Sequence, residues 1–140
     1  MTVVIDTNAV SVMFRAGHPF HATLDEWTVG RFVWAVTTEI LLEYEEVLSR
    51  LGQPGRARAL LGAVEKVAEV RGNLLRVSPS FHFRLIIADP DDDKFADCAI
   101  AAEADHVITN DHHFDVLLGS GYKPQPIAPE EFIRRHLAGA

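Results

Sequence analysis

The stretch Val3-Val4-Ile5-Asp6-Thr7-Asn8 decides how the chain is read. Three β-branched residues in a row, without alternating polar ones, describe a strand covered on both faces, as in the middle of a parallel sheet. The aspartate stands where that strand gives way to a helix. A second run of the same kind, Val107-Ile108, ends in Thr109-Asn110-Asp111. Between them, Phe32 to Val36 is a third candidate strand. Thr38 is a plausible N-cap for a helix from Glu39 to Leu51. After Pro54-Gly55, Leu60, Leu61, Val64, Val67 and Ala68 predict a helix from Arg56 to about Val70, ended by Gly72-Asn73. Leu74 to Val77 reads as a short strand, Phe81 to Ile87 as strand or loop, and Asp91 to Ala104 as a deeply packed helix. Gln125 to Ala128 is the last strand. Pro129-Glu130-Glu131 then opens a helix that ends at Leu137. Alternation of strands and helices predicts one three-layer α/β/α domain over residues 1–140, with a mostly parallel central sheet.

A chain of 140 residues can bury roughly two-thirds of its unfolded surface and needs no staples. No run approaches the ~18 to 20 apolar residues of a membrane span. The start lacks the basic and apolar regions of a signal peptide, so cytoplasmic residence is expected. Cys98, the single cysteine, lies in an apolar run and reads as a small core residue. A net charge of −7 argues against a protein that holds nucleic acid by a broad basic surface. It leaves a nuclease open, because divalent ions reverse the local charge of an acidic site.

In open α/β sheets ligands bind beyond the carboxyl ends of the strands, where strand order reverses. Asp6, Thr109 and Asp111 all fall at carboxyl ends. Asp6 alone could equally be a helix N-cap. Glu43 shares a helical stripe with Glu39 and Glu46, and most such stripes are solvated. Asp93 and Asp97 project from one helix face, and Asp97, inside an apolar run, needs a partner if buried. Asp89 to Asp92 fit the first turn of that helix as charges that complement its dipole. An EF-hand is excluded, because the positions that require glycine and a bidentate glutamate are Lys94 and Ile100. His112 and His113 read as surface-loop residues rather than ligands. Convergent carboxylates repel by about 4 kcal/mol per pair at ~4 Å and an effective dielectric near ~20. A hard divalent cation is the usual remedy.

Taken together, Ile5-Asp6-Thr7-Asn8, Thr38 with Glu43, Asp93-Lys94-Phe95-Ala96-Asp97-Cys98-Ala99 and Val107-Ile108-Thr109-Asn110-Asp111-His112-His113-Phe114 resemble the PIN domain family. The likeness is nearer to its bacterial branch of toxin components of toxin-antitoxin systems. That resemblance implies a PIN-like fold and a metal-dependent ribonuclease with a core like that of flap endonucleases, often dimeric and often neutralised by a small antitoxin. It places the family's acids on Asp6, Glu43, Asp93 and Asp111, with Asp97 as an additional acid of the branch. Two departures, Asn110 in place of glycine or arginine and His113 in place of an acid, bear on substrate preference.

On this reading Asp6, Asp93, Asp97 and Asp111 ligate Mg²⁺ or Mn²⁺, while Glu43 holds a second ion or orients the attacking water. Asn8 and Thr109 support the carboxylates from behind. RNA is the expected substrate, and a small antitoxin and a second copy of the chain are the expected partners, with no membrane involved. Two alternatives remain: a PIN-like module without turnover that acts through its interfaces, and an aspartyl-nucleophile phosphatase, which would want an acid where Asn8 stands.

Overall fold

The fold was obtained as a computed structural model that describes residues 1–52 and 54–138. Five strands form one sheet, β1 (Thr2–Ile5), β2 (Val33–Val36), β3 (Leu74–Arg76), β4 (His106–Ile108) and β5 (Gln125–Ile127), in the order β3-β2-β1-β4-β5. All four pairings are parallel, with Val3 opposite both Trp34 and His106, and Ile5 opposite Ile108. The apolar runs read from the sequence are therefore the sheet. Val3, Val4, Ile5, Val107 and Ile108 are wholly buried, as central parallel strands require.

Helices α1 (Thr7–Met13) and α2 (His21–Thr28) connect β1 to β2, and α3 (Thr38–Leu51) with α4 (Pro54–Arg71) connects β2 to β3. Helix α1 packs on α2 and α3, and α3 on α4, while α5 (Asp93–Ala101) lies against β1, β2 and β4. The chain closes through α6 (Pro129–Phe132), which runs on as a π-helical turn over Ile133–Leu137. The architecture is three-layer α/β. No helix among the described residues is long and apolar enough to cross a membrane.

Two local outcomes differ from the sequence reading. The N-cap of α3 is Thr37, whose hydroxyl accepts from the Ile40 amide at 3.0 Å, and Thr38 is already inside the helix. The acidic segment expected to open α5 is instead a separate 3-10 turn, Pro90–Asp92, with Asp89 as its cap. Phe81 to Ile87 is loop, the second of its two readings.

Strand order reverses between β1 and β4, since the chain proceeds from β1 outward to β2 and β3 and then returns to β4 on the other side. The Asp6 amide donates to the Ile108 carbonyl at 3.0 Å, which locks the ends of these two strands together. Tyr44, fully buried on α3, donates its hydroxyl to the Ile5 carbonyl. That bond brings Glu43 to the same sheet edge. The core thus delivers residues from β1, α3 and β4 to the crevice at the switch point.

Candidate metal centre

Asp6 occupies the cap position of α1, yet its side chain makes no capping hydrogen bond. Its Oδ2 instead accepts from the Thr109 hydroxyl at 2.8 Å. The same hydroxyl oxygen accepts from the Asp111 amide at 2.9 Å. Thr109 thereby ties the Asp6 carboxylate to the backbone that carries Asp111. Burial pushes the Asp6 carboxyl above its usual range, and the Asp111 charge adds to this. The Thr109 bond and the amides of Thr7 and Asn8 only partly offset the rise. Thr109→Val keeps the shape but removes the hydroxyl. It should lower divalent-ion affinity by about tenfold to a hundredfold in titration calorimetry; unchanged affinity would deny Thr109 this role.

Asp92 is the third carboxylate at this edge. Its carboxyl is raised to about 7, first by burial, then by the charges of Asp6, Asp89 and Asp111, and last by a hydrogen bond to Asp111 that only the protonated form can make. As a carboxylate, its buried Oδ2 has no hydrogen-bond donor among the described residues. The His113 imidazole joins it, with Nδ1 3.3 Å from Asp111 Oδ1 and 3.8 Å from Asp92 Oδ2. Asp89, Asp92 and His113 offer ligand atoms that all lie within 4.8 Å of one another.

Asp93 and Asp97 are directed elsewhere. They do share one helix face, but that face is covered by the 81–87 loop. Asp93 Oδ1 accepts from the Ile86 amide at 2.8 Å. Asp97 Oδ1 accepts from the Phe83 amide at 3.0 Å, and its Oδ2 lies 3.1 Å from His82 Nδ1. Between the two anchored amides Arg84 adopts a left-handed φ of 53°, a conformation costly for a residue with a side chain. The two aspartates therefore hold a loop whose part-buried amides need acceptors, and Asp92, one residue earlier, lies among the charges of Asp6 and Asp111 where the sequence reading put Asp93.

Glu43 is close by but already engaged. Its carboxylate accepts from the Thr7 hydroxyl and pairs with Lys94 Nζ at 2.9 Å. Burial draws the Lys94 ammonium down, but the Glu43 contact and the charges of Glu39 and Asp91 outweigh it, so the group is held above its usual range and stays charged. Lys94→Met should reduce the unfolding free energy by about 1.5–3 kcal/mol, the usual scale for a hydrogen bond to a charged group. An unchanged denaturation midpoint would contradict that pairing. The Asn8 carboxamide, expected behind the carboxylates, makes no hydrogen bond to them among the described residues and instead lines a cavity beside Asp6.

The acidic run Asp89 to Asp93 was legible as a unit, but within it the ligand role was read onto Asp93 rather than Asp92 or Asp89, and His113 was read as a loop residue. The converging ligand atoms of Asp89, Asp92 and His113, the buried Oδ2 of Asp92 and the nearby charges of Asp6 and Asp111, which help to raise its carboxyl, fit a divalent cation, which would occupy that oxygen and offset the repulsion.

No curated protein sequence matches the chain significantly. Among solved structures, the fold is similar to that of VapC20 of Mycobacterium tuberculosis, described as a toxin that cleaves the sarcin-ricin loop. The similarity has a TM-score of 0.51 at 15% identity and covers 86% of this chain and 95% of that one. A sequence profile of the PIN domain matches residues 2–113. With that match over most of its length, the chain belongs to the PIN domain family.

Proposed function

We propose that this protein is a divalent-metal-dependent endoribonuclease, the toxin of a toxin-antitoxin pair, that hydrolyses RNA phosphodiester bonds in the cytoplasm. The observation that carries this reading is the gathering of Asp6, Asp92 and Asp111 at the switch point around a buried carboxylate oxygen that lacks a partner. Membership of the PIN family and the likeness in fold to a toxin that cleaves RNA support it. A small antitoxin and a second copy of the chain are the proposed protein partners.

Asp6, Asp92 and Asp111 would hold Mg²⁺ or Mn²⁺, with His113 and Asp89 beside them. Bound there, the ion supplies charge that tolerates a phosphate and favours loss of a proton from water. Thr109 keeps Asp6 in one rotamer, so the acids present a fixed array of oxygens. Asp93 and Asp97 serve by holding the adjoining loop. Glu43, paired with Lys94 and Thr7, positions an ammonium at the rim of the acids, where it can meet a phosphate oxygen of the substrate. No nucleophilic side chain is required, and Cys98, buried with its thiol pushed up to about 12, is unsuited to be one.

The test is incubation of purified protein with single-stranded and structured RNA, with Mn²⁺ or with EDTA, beside Asp6→Asn. Cleavage is expected only with metal and only in the unsubstituted chain. Metal-independent cleavage, or full activity of Asp6→Asn, would overturn the reading; absence of cleavage from every RNA would favour a module that works through its interfaces.

A further inference from the structure

We infer that the cavity on the α1 and α6 side of the acids is a subsite for one unstacked nucleobase of a single-stranded RNA, adjoining the phosphate to be cut. The inference rests on the nuclease reading and deepens it. The cavity measures about 990 Å³ and begins at Asp6 and Asp111, so a strand whose phosphate meets the acids has its neighbouring nucleoside at the mouth. That size reaches the upper part of the usual range for ligand pockets, about 300–1,000 Å³.

Its chemistry selects a neutral, flat ligand. The charged groups on its wall are Asp6, Asp111 and Glu130, all acidic, so a second phosphate is repelled from the interior. Val12 and Ile133, half-buried on opposite elements, supply apolar surface for a ring. Polar groups stand between them. The carboxamides of Asn8 and Asn110 are exposed and make no hydrogen bond among the described residues, and each can pair with the edge of a base. His18 adds a donor of fixed identity. Its Nδ1 accepts from the Phe20 amide at 3.0 Å, so in the neutral ring the hydrogen resides on Nε2. A duplex keeps its bases stacked and paired, whereas loops and single strands can offer one base to such a site.

The experiment measures binding of fluorescent single-stranded hexaribonucleotides in Ca²⁺ by anisotropy, with one abasic position moved stepwise along the strand. Wild-type protein is expected to lose about tenfold or more in affinity when the abasic position coincides with the cavity, the scale of about 1–3 kcal/mol per stacked base. Val12→Trp and Ile133→Trp, which fill the cavity from different walls, should bind the intact and abasic strands equally. Their melting temperatures report whether either has failed to fold. Binding without any positional penalty, or a penalty that survives in both folded variants, overturns the subsite and leaves the nuclease reading standing. No RNA binding at all, in protein that also fails to cleave, overturns both. Displacement of the strand by an arginine-rich peptide, with intact and abasic strands displaced alike, assigns the cavity to a protein partner and overturns the inference too.

Discussion

Asp92→Asn should reduce RNA cleavage by about a thousandfold, or about 4 kcal/mol of transition-state stabilisation, while Asp93→Asn should keep most of the activity. The two positions are adjacent and chemically identical, so composition and net charge cannot account for a difference between them. Asp92 carries the unpartnered buried oxygen, and its charge is opposed by Asp6, Asp89 and Asp111. Asp93 gives its Oδ1 to the Ile86 amide, and asparagine in its place retains an oxygen that can accept the same bond. Asp93→Ala is the harsher change. It leaves the amide of Ile86, a residue 1% exposed, without an acceptor and should cost about 1–3 kcal/mol of stability. Initial rates on one RNA substrate, with melting curves as a control, decide the matter. Equal losses at both positions, or a larger loss in Asp93→Asn, would return the third acid to Asp93.

The second large effect is thermodynamic. In the metal-free protein the Asp92 carboxyl is raised from 3.8 to about 7. Between those values the folded chain holds a proton that the unfolded chain has released, so the contribution of this group to stability falls as pH rises through that window and levels off above it. Asp6, raised by burial, acts in the same direction. A divalent ion competes with these protons. Its stabilising effect should therefore be small near pH 4 and largest above pH 7, where a hundredfold excess over Kd contributes about 2.7 kcal/mol. Melting temperatures across pH, in EDTA and in Mn²⁺, measure both. His106, lowered by burial, acts in the opposite direction in this window, so the comparison is with Asp92→Asn. A metal-free pH dependence between 4 and 7 that is the same in Asp92→Asn, or a melt that Mn²⁺ leaves unmoved at pH 8, would contradict the acid cluster as described.

The sheet was legible in the sequence because fully buried parallel strands leave a signal that needs no tertiary knowledge. Val3 to Ile5, Val107-Ile108 and Phe32 to Val36 are apolar throughout, mostly β-branched or aromatic, and lack polar alternation. Polar residues at their carboxyl ends sufficed to place Asp6, Thr109 and Asp111 at one sheet edge, since position relative to a parallel sheet is a topological property. The third acid was harder. Helical spacing put Asp93 and Asp97 on one face, and the structure keeps them there, but spacing does not say what covers a face. The covering element is the 81–87 loop, whose amides at Phe83 and Ile86 need acceptors. Pro90 also starts a 3-10 turn with three residues per turn rather than 3.6, so acids before Asp93 do not continue the α5 wheel.

His113 was read as a surface-loop residue for a related reason. Adjacent histidines rarely chelate together, and these two do part company: His112 is turned outward to Asp115 at 3.3 Å, and His113 inward to Asp111. The 3-10 helix His112–Leu117 carries both and buries only Phe114 and Leu117, too short a pattern to fix the direction of each histidine. Thr37 and Thr38 show the ordinary ambiguity of a helix boundary, where two good caps stand side by side. Glu43 was found as a residue, but its engagement by Lys94 and Thr7 comes from contacts across elements that no local pattern encodes.

Anomalous scattering from a crystal soaked in Mn²⁺ would locate the ion. A peak is expected beside the carboxylates of Asp6, Asp92 and Asp111, with Asp93 and Asp97 still bound to the loop amides. A peak held instead by Asp93 and Asp97, or no peak at the carboxyl ends of β1 and β4, would contradict that placement.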